Sequence, residues 1–134
     1  MVLAGGVTEQ TLAAEIIARA ADRAVDITAA VGWPLTEIAA LCAEAAFYVG
    51  NDTGVMNLAA AVSVRCYGLF GAVEPFAHAS QIVPILPPDG QTNKADGMAR
   101  ITPAMVLERI ALDWNRSPFP TLGHELRRDR AHRA

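Results

Sequence analysis

Cysteine, long hydrophobic runs and a leader segment are all scarce or missing in this sequence. Its 134 residues include only two cysteines, Cys42 and Cys66, which sit in apolar surroundings without CxxC spacing. No apolar run approaches the ~20 residues that a membrane-spanning helix requires. The opening residues, MVLAGG, lack the charged and apolar regions of a signal peptide. We therefore expect buried free thiols in a reducing cytoplasm and a chain that does not span a membrane.

An excess of charge of one sign is also missing. The formal net charge is −3 and the isoelectric point is about 5.5, so nothing in the overall balance favours a nucleic-acid partner. Hydrophobic residues make up 52% of the chain and charged residues 19%, which is typical of a globular protein. A chain of this length is long enough to bury one core. The composition therefore predicts a single folded domain.

Strand patterns alternate with helix patterns along the chain, which is typical of a parallel α/β sheet covered by helices on both faces. The predicted strands cover residues 2–4, 24–28, 46–50, 65–71 and a weaker 81–86. The predicted helices cover residues 8–22, the stretch from Pro34 to about Glu44, 54–62 and 103–113. Residues 29–34 and 87–102 are predicted loops. We expect one domain over residues 1–113 and a basic, partly disordered extension over 114–134.

Several details of these elements can be tested. Thr8 is expected to cap the first helix, and Thr102 the last. The strand at 46–50 is continuously apolar, which favours burial on both of its faces. The side chains expected inside the helices are Leu12, Ile16, Ile17, Leu35, Ile38, Leu41, Cys42, Met105, Val106, Ile110 and Leu112.

The stretch YVGNDTGVMNLAAAV, residues 48–62, carries the most specific chemical signal. Gly50 and Gly54 allow a tight turn and a close approach to a ligand, and Asp52 or Thr53 can cap the helix that follows. The backbone amides of residues 53–56 then remain unpaired at the positive end of that helix. This arrangement predicts an anion site, most naturally for phosphate. An ordinary capped turn between a strand and a helix is the alternative interpretation.

The same residues, read with their neighbours, resemble a known signature. Asp52-Thr53-Gly54, the alanine-rich helix 58–61, and Leu69-Phe70-Gly71 followed by Pro75 match the donor-binding motifs of glycosyltransferase family 9, the ADP-heptose–lipopolysaccharide heptosyltransferases. VLAGGVTEQ near the start and ARITPAMVLERI near the end are similar to further segments of that family. The resemblance covers about residues 1–113.

The resemblance implies a Rossmann-like domain, the C-terminal half of a two-domain GT-B fold, which binds a nucleotide-sugar donor. Asp52, Thr53 and Gly54 would then line the donor diphosphate, with Val55 and Met56 contributing amides. Glu9 matches the position of a carboxylate that binds the ribose hydroxyls. Trp33 falls in the loop that contacts the adenine, although a buried structural tryptophan is the alternative there.

The sequence also departs from the family pattern. Asn57 stands where the family usually has a histidine, and its amide can bind a phosphate oxygen but carries no charge. The family's aspartate general base and most of its acceptor site belong to the N-terminal half, so no catalytic residue is assigned in this chain.

Glu74 could contact the donor sugar or cap the turn that Pro75 opens. His78 could contact the sugar or the acceptor, or be an ordinary surface histidine.

Two functional hypotheses follow. In the first, the chain is the donor domain of an enzyme that moves a heptose-like sugar from an ADP-sugar to a lipopolysaccharide-type glycan or lipid-linked acceptor. In the second, it is a nucleotide-binding module without turnover, or a fragment that needs an N-terminal GT-B domain. We expect no metal or other cofactor, a tendency to self-associate, and a cytoplasmic location, with the basic tail either solvated or peripheral at the inner membrane.

Overall fold

The computed structural model describes residues 1–75 and 79–116. The chain divides into two compact units, Met1–Ala40 and Leu41–Ala134, and each is described by itself. None of the described helices is long and apolar enough to cross a membrane. The predicted basic extension lies almost wholly outside the described residues, which end at Arg116.

The first unit is built around two parallel strands, β1 (Val2–Gly5) and β2 (Thr28–Val31), which pair from Val2 opposite Thr28 to Gly5 opposite Val31. A short 3₁₀ helix (Val7–Glu9) leads from β1 into helix α1 (Gln10–Ala21). Helix α2 (Leu35–Glu44) follows β2 and begins directly after Pro34, as predicted.

The start of the first helix differs from the prediction. Thr8 does not cap it but lies inside the 3₁₀ turn, whose N-cap is Gly6. The Glu9 carboxylate accepts a hydrogen bond of 2.6 Å from the Gly6 amide, which starts the turn before Thr8 can act as a cap. Leu12 was also expected inside, but it is 56% exposed, and Ala13 is buried instead.

The second strand was predicted at residues 24–28 and is found at Thr28–Val31, so it overlaps the prediction only at Thr28 and otherwise lies in the predicted loop. The reason lies in how α1 ends. The Ala24 amide donates to the Ala21 carbonyl and the Val25 amide to the Ala20 carbonyl, each at 3.0 Å. Because this terminating turn uses residues 24 and 25, the chain cannot become extended until after it.

The hydrogen-bond pattern that ends α1 recurs at the end of a second helix. In both turns the residue with a left-handed backbone conformation is not a glycine. Ala24 has a φ of 55°, and Ser63, after helix α3 (Gly54–Ala61), has a φ of 66°. The Ser63 and Val64 amides donate to the Ala60 and Ala59 carbonyls, which repeats the pattern at the end of α1. Each position therefore carries a Cβ in a conformation that favours glycine.

The second unit contains three parallel strands in the order β3 (Tyr48–Asn51), β4 (Cys66–Leu69) and β5 (Ile82–Ile85). Helix α3 connects β3 to β4, a further 3₁₀ turn covers Met98–Arg100, and helix α4 spans Pro103–Arg116. All three strands end at the same edge of the sheet because they are parallel. The predicted α/β class with parallel strands is confirmed.

Helices lie on both faces of this sheet. Consecutive β4 residues point to opposite faces: the Cys66 sulfur is 3.7 Å from the Met56 carbonyl oxygen of α3, whereas the Tyr67 hydroxyl reaches Asp113 of α4. Phe47 packs edge-on against the Tyr67 ring, with 5.9 Å between the ring centroids. The largest side chains with almost no exposed surface are Tyr67, Phe70, Met56 and Cys66. Both cysteines are free and buried, as predicted.

The prediction that the strand at 46–50 is buried on both faces is wrong. β3 begins at Tyr48, its residues alternate in burial, and Val49 is 39% exposed. Val49 pairs with Tyr67 across the sheet, but it is Tyr67 that α4 contacts. The sheet face above β3 is therefore left partly open in the described part of this unit.

Helix α4 holds the least expected core residue. Thr102 caps it, since its hydroxyl oxygen accepts from the Met105 amide at 3.4 Å, and the helix continues beyond the predicted Asp113 to Arg116. Leu112 was expected inside but is 50% exposed, whereas Asp113 is only 9% exposed.

Asp113 is held by three side chains. Its Oδ2 accepts from the Tyr67 hydroxyl at 3.2 Å and from Arg65 Nη1 at 3.4 Å, and its Oδ1 lies 3.6 Å from Arg109 Nε. Burial, followed by the charge of Asp113 and its hydrogen bond, raises the pKa of Tyr67 to about 12. The contacts with Tyr67 and Arg65 attach α4 to the middle strand of the sheet and the residue before it, whereas the Arg109 contact lies within α4.

Candidate functional site

The turn between β3 and α3 places the Asp-Thr-Gly motif at the carboxyl edge of the second unit's sheet. Thr53 occupies the N-cap position of α3 with an extended backbone, φ −138° and ψ 169°. The predicted side-chain cap is absent, because the Thr53 side chain accepts no hydrogen bond from the first amides of α3. Instead, the backbone amide and the side-chain amide of Asn57 both donate to the Thr53 carbonyl, at 3.2 and 3.3 Å.

The first amides of α3 are available for a ligand. Among the described residues, no acceptor pairs with the backbone amides of Gly54, Val55 or Met56. The first turn of an α-helix leaves such amides unpaired, and the helix dipole adds a positive potential at the same end. Gly54 and Asn57 are exposed and Asp52 is half-buried at the turn. The arrangement can bind an anion through backbone hydrogen bonds.

The two glycines of the motif have different local roles. A Cβ atom on Gly50 would collide with the Tyr48 side chain, so Gly50 makes room for a ring within β3; it does not form the tight turn that was predicted. A Cβ on Gly54 would meet no atom within 4 Å, and Gly54 does not adopt a left-handed conformation. Neither packing nor backbone geometry requires glycine at position 54, and the space beside Gly54 is open at the start of α3.

The neighbouring strand brings a second loop to this edge. Leu69, the last residue of β4, pairs with Asn51, the last residue of β3, so residues 70–75 leave the sheet beside the Asp52–Thr53 turn. We call residues 70–75 the β4 segment. Glu74 lies on it and is exposed. His78, the other predicted sugar or acceptor contact, lies outside the described residues.

In the first unit, Glu9 and Trp33 follow the ends of the two paired strands and so lie at the same sheet edge. A Cβ on Gly5 would come within 2.8 Å of the Glu9 carboxylate, so glycine allows this side chain to fold back onto the Gly6 amide. Gly32 has a φ of +72° and its amide donates to the Gly5 carbonyl at 2.9 Å. Trp33 is 45% exposed, so the described residues do not bury it as a structural tryptophan would be.

The predicted loop after β5 is ordered by polar contacts, which its composition did not indicate. Arg100 contacts Asp89 there, and Asn93 organises a turn around its side-chain oxygen. The pKa of Asp89 is lowered from its ordinary value, first by the hydrogen bond from the Gln91 amide and then by Arg100. Asn93 followed by Asp96-Gly97 is a turn signal that could have predicted the turn within this loop. Across the described part of the chain, no group of His, Cys, Asp and Glu side chains could hold a metal ion.

Comparison with known proteins identifies one family. The family model for glycosyltransferase family 9 (heptosyltransferase) matches residues 1–85, which include Glu9, Trp33, the Asp-Thr-Gly turn and the β4 segment. The match ends before the final helix, whose resemblance to the family it does not cover. A search of curated proteins and a search of solved structures found no match. Since the matched residues are well over half of the 134, the chain belongs to glycosyltransferase family 9, the heptosyltransferase family.

Proposed function

We propose that this chain is the donor-binding part of a family 9 glycosyltransferase and that it binds the diphosphate of an ADP-sugar at the start of α3. The observation that carries the proposal is the combination of three unpaired amides with an open surface over Gly54. Family membership supports a sugar-transfer reaction, and the geometry supports an anionic ligand at this particular turn.

The polar groups of the turn suit different parts of such a donor. Backbone amides bind phosphate oxygens well, while the Asp52 carboxylate would repel a diphosphate and is better suited to accept a hydrogen bond from a donor hydroxyl. Asn57 remains close to the helix start, where its side-chain amide already donates to Thr53. It supplies hydrogen-bonding capacity without a positive charge, so the amides and the helix dipole would provide most of the anion stabilisation.

In the proposed reaction, an acceptor hydroxyl attacks the anomeric carbon of the donor sugar. The bond between that carbon and the diphosphate oxygen breaks, ADP leaves with the electron pair, and a base takes the hydroxyl proton. The α3 amides would stabilise the charge that develops on the leaving diphosphate. By the family resemblance, the base and most of the acceptor site would belong to the N-terminal half of a GT-B enzyme, so no described residue is assigned as the base.

Glu9 and Trp33, both in the first unit, would bind the nucleoside of the donor. The Glu9 carboxylate is held in one orientation by the Gly6 amide, and an oriented carboxylate can accept hydrogen bonds from the two ribose hydroxyls. The exposed face of Trp33 suits stacking against an adenine ring. The acceptor would be a lipopolysaccharide-type glycan, and the site of action the cytoplasm at the inner membrane.

The alternative function is nucleotide binding without turnover. The features that favour donor binding favour this alternative equally, because a base has no assigned residue here. The two differ in activity: the chain alone is expected to bind ADP but not to transfer a sugar. Transfer of heptose from ADP-heptose to any acceptor by the purified chain would show that the base lies within it.

Gly54→Ala tests the diphosphate site directly. The added methyl group would project over the free amides and displace a phosphate, which removes one or more charge-assisted hydrogen bonds, each contributing about 1.5–3 kcal/mol. We expect ADP affinity, measured by calorimetric titration, to fall by at least about tenfold. Stability should be unchanged or slightly higher, because position 54 has space and alanine favours a helix more than glycine does.

The matched control is Ala61→Ser, which adds one atom at the exposed opposite end of the same helix and should leave ADP binding unchanged. Asp52→Ala should weaken binding of an ADP-sugar, because a hydroxyl of the donor sugar loses its acceptor, but should not weaken binding of ADP itself. If ADP does not bind to the wild-type chain but UDP, GDP or CMP does, the site is correct and the nucleotide is wrong. If none of the four binds, or if Gly54→Ala binds ADP like the wild type, the proposed diphosphate site is refuted.

A further inference from the structure

The loop after β5, residues 89–100, is closed on itself by a single guanidinium group. Arg100 Nη1 donates to Asp89 Oδ2 at 2.7 Å, and Nη2 donates to the Gln91 carbonyl at 2.7 Å. Its Nε is buried and lies 3.6 Å from Asp96 Oδ1, close enough for an ion pair but not for a hydrogen bond. Asp89 also accepts from the Gln91 amide at 3.0 Å. One side chain therefore fixes the two ends of the 89–100 loop to each other.

The same loop is attached to the residues that follow β4. The Asn93 amide donates to the Gly71 carbonyl at 2.7 Å, while the Asn93 side-chain oxygen accepts from the amides of Ala95 and Asp96. Gly71 and Gly97 are both buried. A Cβ on Gly97 would collide with the Gly71 carbonyl, and a Cβ on Gly71 would collide with the backbone of Met98. The two backbones therefore touch without any side chain between them.

This attachment has a consequence for the candidate site. Gly71 is part of the β4 segment, which leaves the sheet beside the Asp52–Thr53 turn and carries the exposed Glu74. Gly71 is the second residue of this segment, so a contact that holds Gly71 also fixes where the segment leaves the sheet. Within the described residues, the 89–100 loop is what contacts Gly71 through its backbone.

We propose that Asp89 and Arg100 are positioning residues for recognition of the donor sugar: they fix the 89–100 loop, which in turn fixes the β4 segment next to the diphosphate turn. The inference rests on the proposed function, since it assumes that a nucleotide sugar binds at that turn. Neither residue contacts the donor. Their effect falls on the sugar, which the β4 segment would meet through Glu74, more than on the nucleotide.

The competing explanation is that the charges of Asp89 and Arg100 act on an anionic ligand directly, through electrostatics. Substitutions distinguish this electrostatic explanation from positioning. Asp89→Asn removes a negative charge, so simple electrostatics predicts tighter binding of an anion, whereas loss of positioning predicts weaker binding of the sugar. Arg100→Lys keeps the charge but loses the planar fork that reaches both Asp89 and the Gln91 carbonyl. Electrostatics predicts that lysine restores binding, and positioning predicts that it does not.

The experiment is calorimetric titration of the full chain with ADP and with ADP-heptose, for the wild type, Asp89→Asn, Arg100→Lys and Arg100→Gln. Arg19→Gln is the control, because it removes one exposed positive charge from α1 in the first unit. We expect the variants of Asp89 and Arg100 to lose about 3- to 10-fold in ADP-heptose affinity, comparable to one hydrogen bond, and less than about twofold in ADP affinity. Thermal melts should show Asp89→Asn folded, since this side chain is exposed.

Other results of these titrations would overturn the inference, and one of them would also overturn the proposed function. The inference is overturned, and the proposed function kept, if the wild type binds ADP but prefers ADP-heptose no more than the variants do. It is also overturned if Asp89→Asn binds ADP-heptose more tightly, or if Arg100→Lys binds it like the wild type. If the wild type binds neither ligand, the proposed function fails and the inference fails with it.

Discussion

The free energy of unfolding of this protein should fall at alkaline pH because of Tyr67. The pKa of Tyr67 is raised to about 12 in the folded chain, from an ordinary value of 10. An acid whose pKa is raised by folding stabilises the folded state fully below the unfolded value and loses that contribution as pH rises toward the folded value. The wild type should therefore lose about 2 kcal/mol of unfolding free energy between pH 9 and pH 11.5 through this residue alone.

Tyr67→Phe removes this loss together with the hydroxyl. At neutral pH the variant should be less stable than the wild type by about 1–2 kcal/mol, the contribution of a hydrogen bond to a carboxylate. The loss is not larger because Asp113 keeps Arg65 and Arg109 as partners. Since the alkaline loss of the wild type is of similar size, the two stability curves should converge as pH rises and meet near pH 11 to 11.5.

The assay is urea denaturation of both proteins at intervals from pH 7 to pH 11.5, in which the titration of other groups cancels in the difference. Asp113→Asn provides a second comparison: it removes a charge that raises the pKa of Tyr67 but leaves the burial, which is the larger cause. Its alkaline loss should be smaller than that of the wild type but not zero. A difference between wild type and Tyr67→Phe that stays constant with pH would refute the reasoning.

Two further predictions concern backbone strain and thiol accessibility. Ala24→Gly and Ser63→Gly should each raise the unfolding free energy by about 0.5–1 kcal/mol, because glycine relieves a left-handed Cβ at both helix ends, and thermal melts would measure the gain. The same substitution in the middle of α1, at the exposed Ala14, should instead lower it by about 1 kcal/mol, and a gain there would contradict the explanation. Cys66 has no exposed surface, and burial raises its pKa to about 11, so neither Cys66 nor the buried Cys42 should react with Ellman's reagent in the folded chain at pH 8. Rapid reaction before unfolding would contradict that burial.

The sequence predicted helices and strands best where a short apolar run between turn residues was enough to identify them. The α3 helix, β4 and β5 lie close to their predicted positions, because short apolar runs between turn residues leave little choice. The parallel direction of the strands follows from the alternation of strands and helices. The Asp-Thr-Gly turn was also located correctly, although the expected side-chain cap was absent.

The errors arose where tertiary contacts decided the outcome. Composition could not show that residues 24 and 25 complete a helix cap, so the second strand was placed too early. Leu112 was expected inside because it is apolar, and Asp113 was not. Yet Val106, Ile110 and Asp113 are spaced four and three residues apart, as positions on one helix face are. That spacing would have placed Asp113 toward the sheet, but a carboxylate is rarely buried unless partners hold it, and two of its partners, Tyr67 and Arg65, are distant in the sequence.

Pro84 makes β5 a poor edge for pairing with a strand of another copy. It lies in the middle of β5, the outermost strand of the three-stranded sheet, opposite Gly68, and is exposed. A strand at an edge normally offers its amides to any extended segment that arrives, which is how sheets grow from one molecule into the next. Proline has no amide hydrogen, so a four-residue edge interrupted by one is a poor template for continued growth. Crowding or overexpression should therefore drive this chain toward contacts between side chains before it drives β5 toward fibrous aggregates.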